Sequence, residues 1–273
     1  MIQQGQRVHP APTHGPNSAA DIARECIARG ADLIVAAGGD GTLNEVANGM
    51  VHSNVPMMVL PGGTANVLAT ELGIGGKVKK AVKRMGLLAP RRIAVGKLTA
   101  ADGDSRYFLL MAGVGLDAHI VHTLSPALKA RLGKAAYYLG GFLSLLRILP
   151  EFDVHLNGLR LRASFALASR VRNYGGDLEI ARSIRLDDPE FEVVTFEGSL
   201  ALGYLKYFYG VLANRLQRMR GVTVVRAREV EFRGARGEVL IQIDGEPFGP
   251  VPAKVELVPD ALTLLVPATY GRR

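Results

Sequence analysis

Two glycine-rich turns hold the residues whose types and spacing could do chemistry. Gly38-Gly39-Asp40-Gly41-Thr42-Leu43-Asn44-Glu45 follows the apolar run Leu33 to Ala37, and Pro61-Gly62-Gly63-Thr64-Ala65-Asn66 follows Val55 to Leu60. Short unbroken apolar runs read as parallel strands covered on both faces. The glycines leave no Cβ in the way, so a phosphate chain can approach the main chain. The N–H groups of a helix that starts at the turn favour an anion. Asp40 is the only charge inside the first turn. A lone carboxylate beside phosphates makes sense mainly if it meets them through a metal ion. A plainer reading stands beside this one. Thr42 and Glu45 have the spacing of a capping box, and Thr64 and Asn66 are residue types that stabilise turns. Local features alone leave the two readings level.

The surrounding pattern predicts the elements that would position these turns. A helix is expected from Ser18 to Arg29, with Ser18 as N-cap and Gly30 as stop. The two strand–turn–helix units follow, the second helix running Val67 to Leu72, and another short helix covers Lys77 to Met85. This αβαβα order implies a parallel, Rossmann-like sheet with helices on both faces, and both turns then lie at the carboxyl ends of strands, where open sheets bind ligands. Near Arg91 the texture changes to strands: Ile93 to Leu98, Tyr107 to Ala112, Phe152 to Leu156, Leu159 to Val171, Phe191 to Phe196, Val222 to Phe232, Val239 to Ile243, Lys254 to Val258 and Leu262 to Val266. Several alternate apolar with charged residues, which predicts an antiparallel β-sandwich with one wet face. Helical patterns at about Pro126 to Leu149 and Ser199 to Met219 interrupt it. The expected organisation is an α/β domain over 1–91 and a β-sandwich domain with inserted helices over 92–273.

Composition narrows the function classes. The chain has 273 residues and a net charge of +8 from 33 Lys and Arg against 25 Asp and Glu. That excess suits phosphorylated ligands or an anionic membrane surface. There is no aromatic-rich basic motif, no zinc spacing and no Trp, so nucleic acid is not an expected partner. Cys26 is the only cysteine, which excludes an intramolecular disulfide. Met1 to Pro12 has no apolar core of a signal peptide. The longest apolar stretches are broken by Lys134, Arg147 or Lys206, short of a membrane span. A cytoplasmic protein is expected.

The second turn makes a family visible. Taken with the first, Leu60-Pro61-Gly62-Gly63-Thr64-Ala65-Asn66 resembles the catalytic domain of diacylglycerol kinases, sphingosine kinases and their bacterial lipid-kinase relatives. Three later segments are similar in the same order: Met111-Ala112-Gly113-Val114-Gly115-Leu116-Asp117-Ala118, Tyr174-Gly175-Gly176-Asp177-Leu178, and Ile243-Asp244-Gly245-Glu246. The resemblance runs from about Thr13 to Pro267. The family's first strand and its Asn-Pro-x-Ser-Gly-like loop have no counterpart at the start of this sequence. Other departures are Val67 in place of an aspartate, Arg182 in place of a proline, and Pro189 where glycine is usual.

The resemblance implies an ATP-dependent, magnesium-assisted lipid kinase that moves the γ-phosphoryl group to a lipid hydroxyl. It makes the α/β domain over 1–91 the nucleotide-binding one and places ATP on Gly38, Gly39, Asp40, Gly41, Thr42, Glu45, Gly62, Gly63, Thr64 and Asn66, with Asp117 in a carboxylate network reaching the nucleotide or metal. Asp40 would orient magnesium, Asp244 would act as general base, and Glu246 would stand beside it. Asp187 and Asp188 match the place where relatives hold a structural magnesium. Against these roles, Asp244-Gly245 is by itself a strong hairpin signal. The implied partners are a lipid substrate and a membrane met peripherally, with a homodimer left open. Two other classes remain: a non-catalytic lipid-binding relative, and a NAD kinase, which shares the first turn.

Overall fold

The computed structural model of the chain describes residues 7–123, 148–175, 178–234 and 237–271. Met1 to Gly5, Gly176, Asp177 and the helix expected over Pro126–Leu149, up to residue 147, lie outside them. The N-terminal part forms as the alternation of patterns predicts. Helix α1 (Ala19–Ala28) ends where Gly30 turns into positive φ, and strand β1 (Ile34–Gly38), helix α2 (Asp40–Met50), strand β2 (Met57–Pro61), helix α3 (Val67–Glu71) and helix α4 (Val78–Arg84) follow. Strands β1 and β2 pair in parallel from Ile34↔Met57 to Gly38↔Pro61.

The remainder is β3 (Leu88–Ala100), β4 (Ser105–Phe108), β5 (Met111–Gly115), α5 (Leu116–Thr123), β6 (Phe152–Leu156), β7 (Leu159–Ala163), β8 (Phe165–Ser169), β9 (Asn173–Tyr174), β10 (Leu178–Glu179), β11 (Phe191–Phe196), α6 (Tyr204–Leu212), β12 (Val222–Ala227), β13 (Glu229–Arg233), β14 (Leu240–Ile243), β15 (Glu246–Pro250) and β16 (Ala253–Pro267). One eight-stranded sheet runs β1-β2-β16-β13-β6-β7, with β3 on β16 and β4 on β3. It is mixed rather than purely parallel. The reason is β16, the chain's last strand, which joins β2 in parallel and lies antiparallel to β3 along its whole length. Its register shifts between Val258 and Leu262, so one strand pair serves both the α/β part and the sandwich.

A second, antiparallel sheet of six strands, β12-β11-β8-β5-β14-β15, packs on the first. Phe108 stacks on Phe191 and Phe152 meets Phe232 edge-on between the two layers. Two expected strands are each split. Leu159–Val171 breaks at Ser164, and Val222–Phe232 breaks at Arg228, because there the chain passes from one sheet to the other. At the first crossing Ser164 donates its N–H to Phe196 O at 3.0 Å and its hydroxyl to Gly198 O at 2.5 Å, which satisfies the buried bend. The expected wet face is confined to strands such as β7. Strands β5, β8 and β11 are buried at every position, because α6 lays Tyr204 and Tyr207 against Phe196 on the outer face. The helix expected over Ser199–Met219 is shortened to α6 between two 3-10 turns. Asn214 adopts positive φ, and Arg215 N–H closes on Gly210 O at 2.8 Å.

Candidate active site

The two glycine turns touch through their backbones. Gly62 N–H donates to Gly38 O at 2.8 Å. A Cβ on Gly63 would lie 2.5 Å from Gly39 Cα, and one on Gly62 would lie 3.2 Å from Gly38 Cα. Only glycine permits that approach. Gly62, Gly63 and Thr64 face outward. The Thr42 side chain folds over Gly38, where a Cβ would meet it at 2.7 Å.

Side chains lock the pair. Asn66, at φ 47°, accepts from Gly63 N–H at 2.8 Å and donates to Gly63 O at 2.7 Å. Asp40 is the first residue of α2, and its carboxylate accepts from Val67 and Leu68 N–H at 3.0 and 3.1 Å. It thus caps the start of α3 and joins one turn to the other. Burial raises its pKa against those hydrogen bonds. Glu45 does not form the expected capping box. Gly39 is the N-cap of α2, and the Glu45 carboxylate accepts instead from Asn17 and Ala19 N–H at 3.0 and 3.2 Å, holding the start of α1.

The Asp-Gly-Glu segment comes to the same place. Asp244 and Gly245, at φ 50° and 83°, form the turn of the β14–β15 hairpin, so the hairpin signal was sound. Antiparallel pairing of β14 with β5 sets Ile243 opposite Ala112. The Asp244 carboxylate turns inward and accepts from Leu109, Leu110 and Met111 N–H at 2.8, 2.9 and 2.9 Å. Burial outweighs these bonds and, with the charge of Asp40 adding to it, pushes the carboxyl up to about 7. Beside it, Glu246 reaches the first turn: a Cβ on Gly41 would lie 2.4 Å from Glu246 Oε1.

Asp117, at the start of α5, supports this hairpin from below. It accepts from Tyr174 hydroxyl and, at 2.6 Å, from Gln242 Nε2, while Gln242 Oε1 accepts from Gly245 N–H at 2.7 Å. Gly113 gives the contact its room, since a Cβ there would lie 1.9 Å from Asp117 Oδ2. Gln242 was not visible in the sequence, where it is one polar position in an alternating strand. Asn48, one polar position on helix α2, was missed as well. Its amide accepts from Tyr107 N–H at 3.0 Å and donates to Tyr107 O at 2.9 Å, docking α2 on β4. Gln242→Leu should remove the Nε2 donor to Asp117 and the Oε1 acceptor of the Gly245 N–H. For an ATP-dependent kinase of the kind the sequence resembles, the expected result is a kcat lower by about 10–100-fold through misplacement of the turn, with ATP affinity little changed. Steady-state kinetics with ATP-binding titration checks it.

Asp187 and Asp188 lie apart from this cluster. Asp187 pairs with Arg91 at 3.1 Å and Arg185 at 3.2 Å, and Asp188 with Arg226 at 3.3 Å and with Arg185 N–H at 2.9 Å. The carbonyls of Leu186, Asp188 and Glu190 accept from the buried Arg170 guanidinium. Guanidinium groups engage most of the oxygens that a divalent cation would need and surround the loop with positive charge, Asp187 Oδ1 being the one buried oxygen there that lacks a hydrogen bond among the described residues, so this loop does not fit the structural magnesium. Among the described residues, no three His, Cys, Asp or Glu side chains converge as metal ligands.

The chain is similar to known proteins. Residues 1–98 match the model of the diacylglycerol kinase catalytic domain, and residues 111–266 match the YegS C-terminal NAD kinase beta sandwich-like domain. The chain is 28% identical over 251 residues to a protein of Bacillus subtilis (strain 168) named diacylglycerol kinase, covering 89% of this chain and 81% of that one. It is 30% identical over 254 residues to the "Probable lipid kinase YegS-like" of Chromohalobacter salexigens, covering 90% and 79%. A solved diacylglycerol kinase structure from Bacillus anthracis str. Sterne superposes with a TM-score of 0.75 at 21% identity, over 96% of this chain and 86% of that one.

Proposed function

The chain belongs to the family of diacylglycerol kinases and YegS-like lipid kinases, and from that premise we propose that it transfers the γ-phosphoryl group of ATP to the hydroxyl of a diacylglycerol-like or sphingoid lipid. The observation that carries the reading is the meeting of the Asp244-Gly245-Glu246 hairpin with the first glycine turn, seen in the closeness of Glu246 Oε1 to Gly41. A base from the sandwich thereby stands beside a backbone cradle from the α/β part. We take residues 1–91 as the nucleotide lobe and 92–273 as the lipid lobe.

The glycine turns bind the phosphates through main-chain N–H groups, and the start of α2 adds its partial positive charge. Thr42, Thr64 and Asn66 border that cradle. Asp244 orients the lipid hydroxyl and accepts its proton as the new O–P bond forms and the bond to ADP breaks. Phosphoryl transfer asks mainly for positioning and charge neutralisation, so late proton acceptance is enough. Asp40 and Asp244 are carboxylates with raised pKa values close enough to repel, a pair that a cation would relieve. Magnesium would be held by Asp40 and would neutralise phosphate charge. Peripheral membrane contact is supported by the exposed apolar residues Leu202, Leu205, Phe208, Tyr209 and Leu212 on and before α6, beside Lys206. Among the described residues, no helix is long and apolar enough to cross a membrane.

The state of Asp244 sets a pH dependence. It works ionised, so kcat/KM should rise with pH through an apparent pKa near 7. Stability should move the opposite way. The folded carboxyl keeps its proton up to about 7, while the unfolded one loses it near 3.8. The folded state therefore binds more protons between those values, and this group's stabilising contribution is lost as pH rises through that window. A pH–rate profile flat from 5.5 to 8 would remove Asp244 from the base role.

A further inference from the structure

At the far end of α3 from Asp40 lies a cavity of about 470 Å³, lined by Arg172, Arg182, Arg185 and Arg226 together with Glu71 and Asp188. Four guanidinium groups face two carboxylates there. The carboxylates are already engaged. Glu71 accepts from Tyr270 hydroxyl at 2.8 Å and Arg172 N–H at 3.4 Å, and Asp188 from Arg185 N–H at 2.9 Å and the Arg226 guanidinium at 3.3 Å. Arg172 and Arg182 are held only loosely, by Glu71 at 4.0 Å and Glu179 at 3.9 Å. Among the described residues, the Nε atoms of both are buried and have no hydrogen-bond partner. A buried donor without an acceptor is costly, and two in one cavity point to an acceptor from outside the chain.

We propose that this cavity binds the phosphate monoester dianion. A planar guanidinium matches two oxygens of a tetrahedral anion at once, and several guanidiniums can share its remaining oxygens. A cation would meet an excess of positive charge at the same place. The cavity has room for a phosphate and part of the organic group it carries. The site is separate from the glycine turns and does not depend on the kinase reading. Arg172, Arg182 and Arg185 come from sandwich loops, Arg226 from β12 and Glu71 from the end of α3, and Arg182 stands where the lipid-kinase pattern has a proline.

The test uses the full chain, with melting temperature followed against inorganic phosphate, with sodium chloride at matched ionic strength as reference. Magnesium chloride is a separate arm. Phosphate should raise the melting temperature by mass action. The apparent Kd for phosphate should rise about tenfold or more for each guanidinium removed, in Arg182→Gln and in Arg172→Gln/Arg182→Gln. ATP affinity should stay within about twofold of the unsubstituted chain, because neither side chain belongs to the nucleotide cradle. Vesicles with and without phosphatidate distinguish the source. Binding that needs phosphatidate, is lost in Arg182→Gln and is not matched by inorganic phosphate assigns a lipid headgroup; a response to inorganic phosphate assigns a free anion. The proposal is overturned if neither probe binds, if the variants respond as the unsubstituted chain does, or if magnesium stabilises and phosphate does not. Should the double variant fail to fold, Arg182→Gln carries the test alone.

Discussion

Asp244→Asn should lower kcat by about 10²–10⁴-fold, the usual size of a lost general base. The hairpin that presents the residue should survive, because Asn tolerates the positive φ that Asp244 adopts. The substitution is not silent in the fold, however. Asp244 accepts from three backbone N–H groups, and an amide has only one oxygen to offer. At least one N–H, that of Leu109 if the oxygen keeps Leu110 and Met111, then faces an NH₂ group. A loss of about 1–3 kcal/mol is expected, so activity must be expressed per folded molecule, from denaturant titration alongside kinetics. ATP should bind the folded variant as before. If activity per folded molecule is unchanged and only stability falls, Asp244 is a hairpin residue that anchors Leu109–Met111, and the base lies elsewhere.

Gly63→Ala should disable the nucleotide cradle. The added methyl would stand 2.5 Å from Gly39 Cα, which is backbone and cannot rotate away. The two turns must part, and overpacking of this kind typically costs about 1–3 kcal/mol. Asp40 ties the two turns together and Asn66 braces the second one, so their separation also disturbs the start of α3. We expect ATP affinity to fall by at least about tenfold, that is by 1.4 kcal/mol or more. Gly86→Ala is the control: nothing lies within 4 Å of a Cβ there. Equal ATP affinity in the two variants would mean that the close approach of the turns does not shape the phosphate site.

What the sequence made legible was local. Each glycine turn sits between a short apolar strand and a helix start, and Asp-Gly marks its own hairpin, so strand, turn and helix follow from neighbouring residues. What it concealed arises from distant pairing. Alternation continues unbroken through Ser164, although the chain changes sheets there, because period 2 records facing and not sheet membership; at Arg228-Glu229, the other crossing, it slips by one residue. The mixed character of the first sheet comes from β16, more than 190 residues after β2 in the chain order of Met57–Pro61 and Ala253–Pro267. Glu45 has capping-box spacing, yet a partner 28 residues away, Asn17, takes its carboxylate. The arginine cavity likewise assembles residues from Glu71 to Gly271 that share no motif. The Asp187-Asp188 pair looked like a cation site in sequence, and only the folded loop reveals how many guanidiniums surround it.

The most direct measurement follows the phosphoryl group itself. The unsubstituted chain is incubated with γ-³²P-labelled ATP, magnesium, NAD and mixed micelles carrying diacylglycerol or a sphingoid base, and the label is partitioned between the lipid and aqueous phases. The account predicts label in a lipid phosphate monoester, formed with ADP in equal amount and abolished in Asp244→Asn. Label appearing in the dinucleotide, or lipid binding with no ATP binding and no transfer, would contradict it.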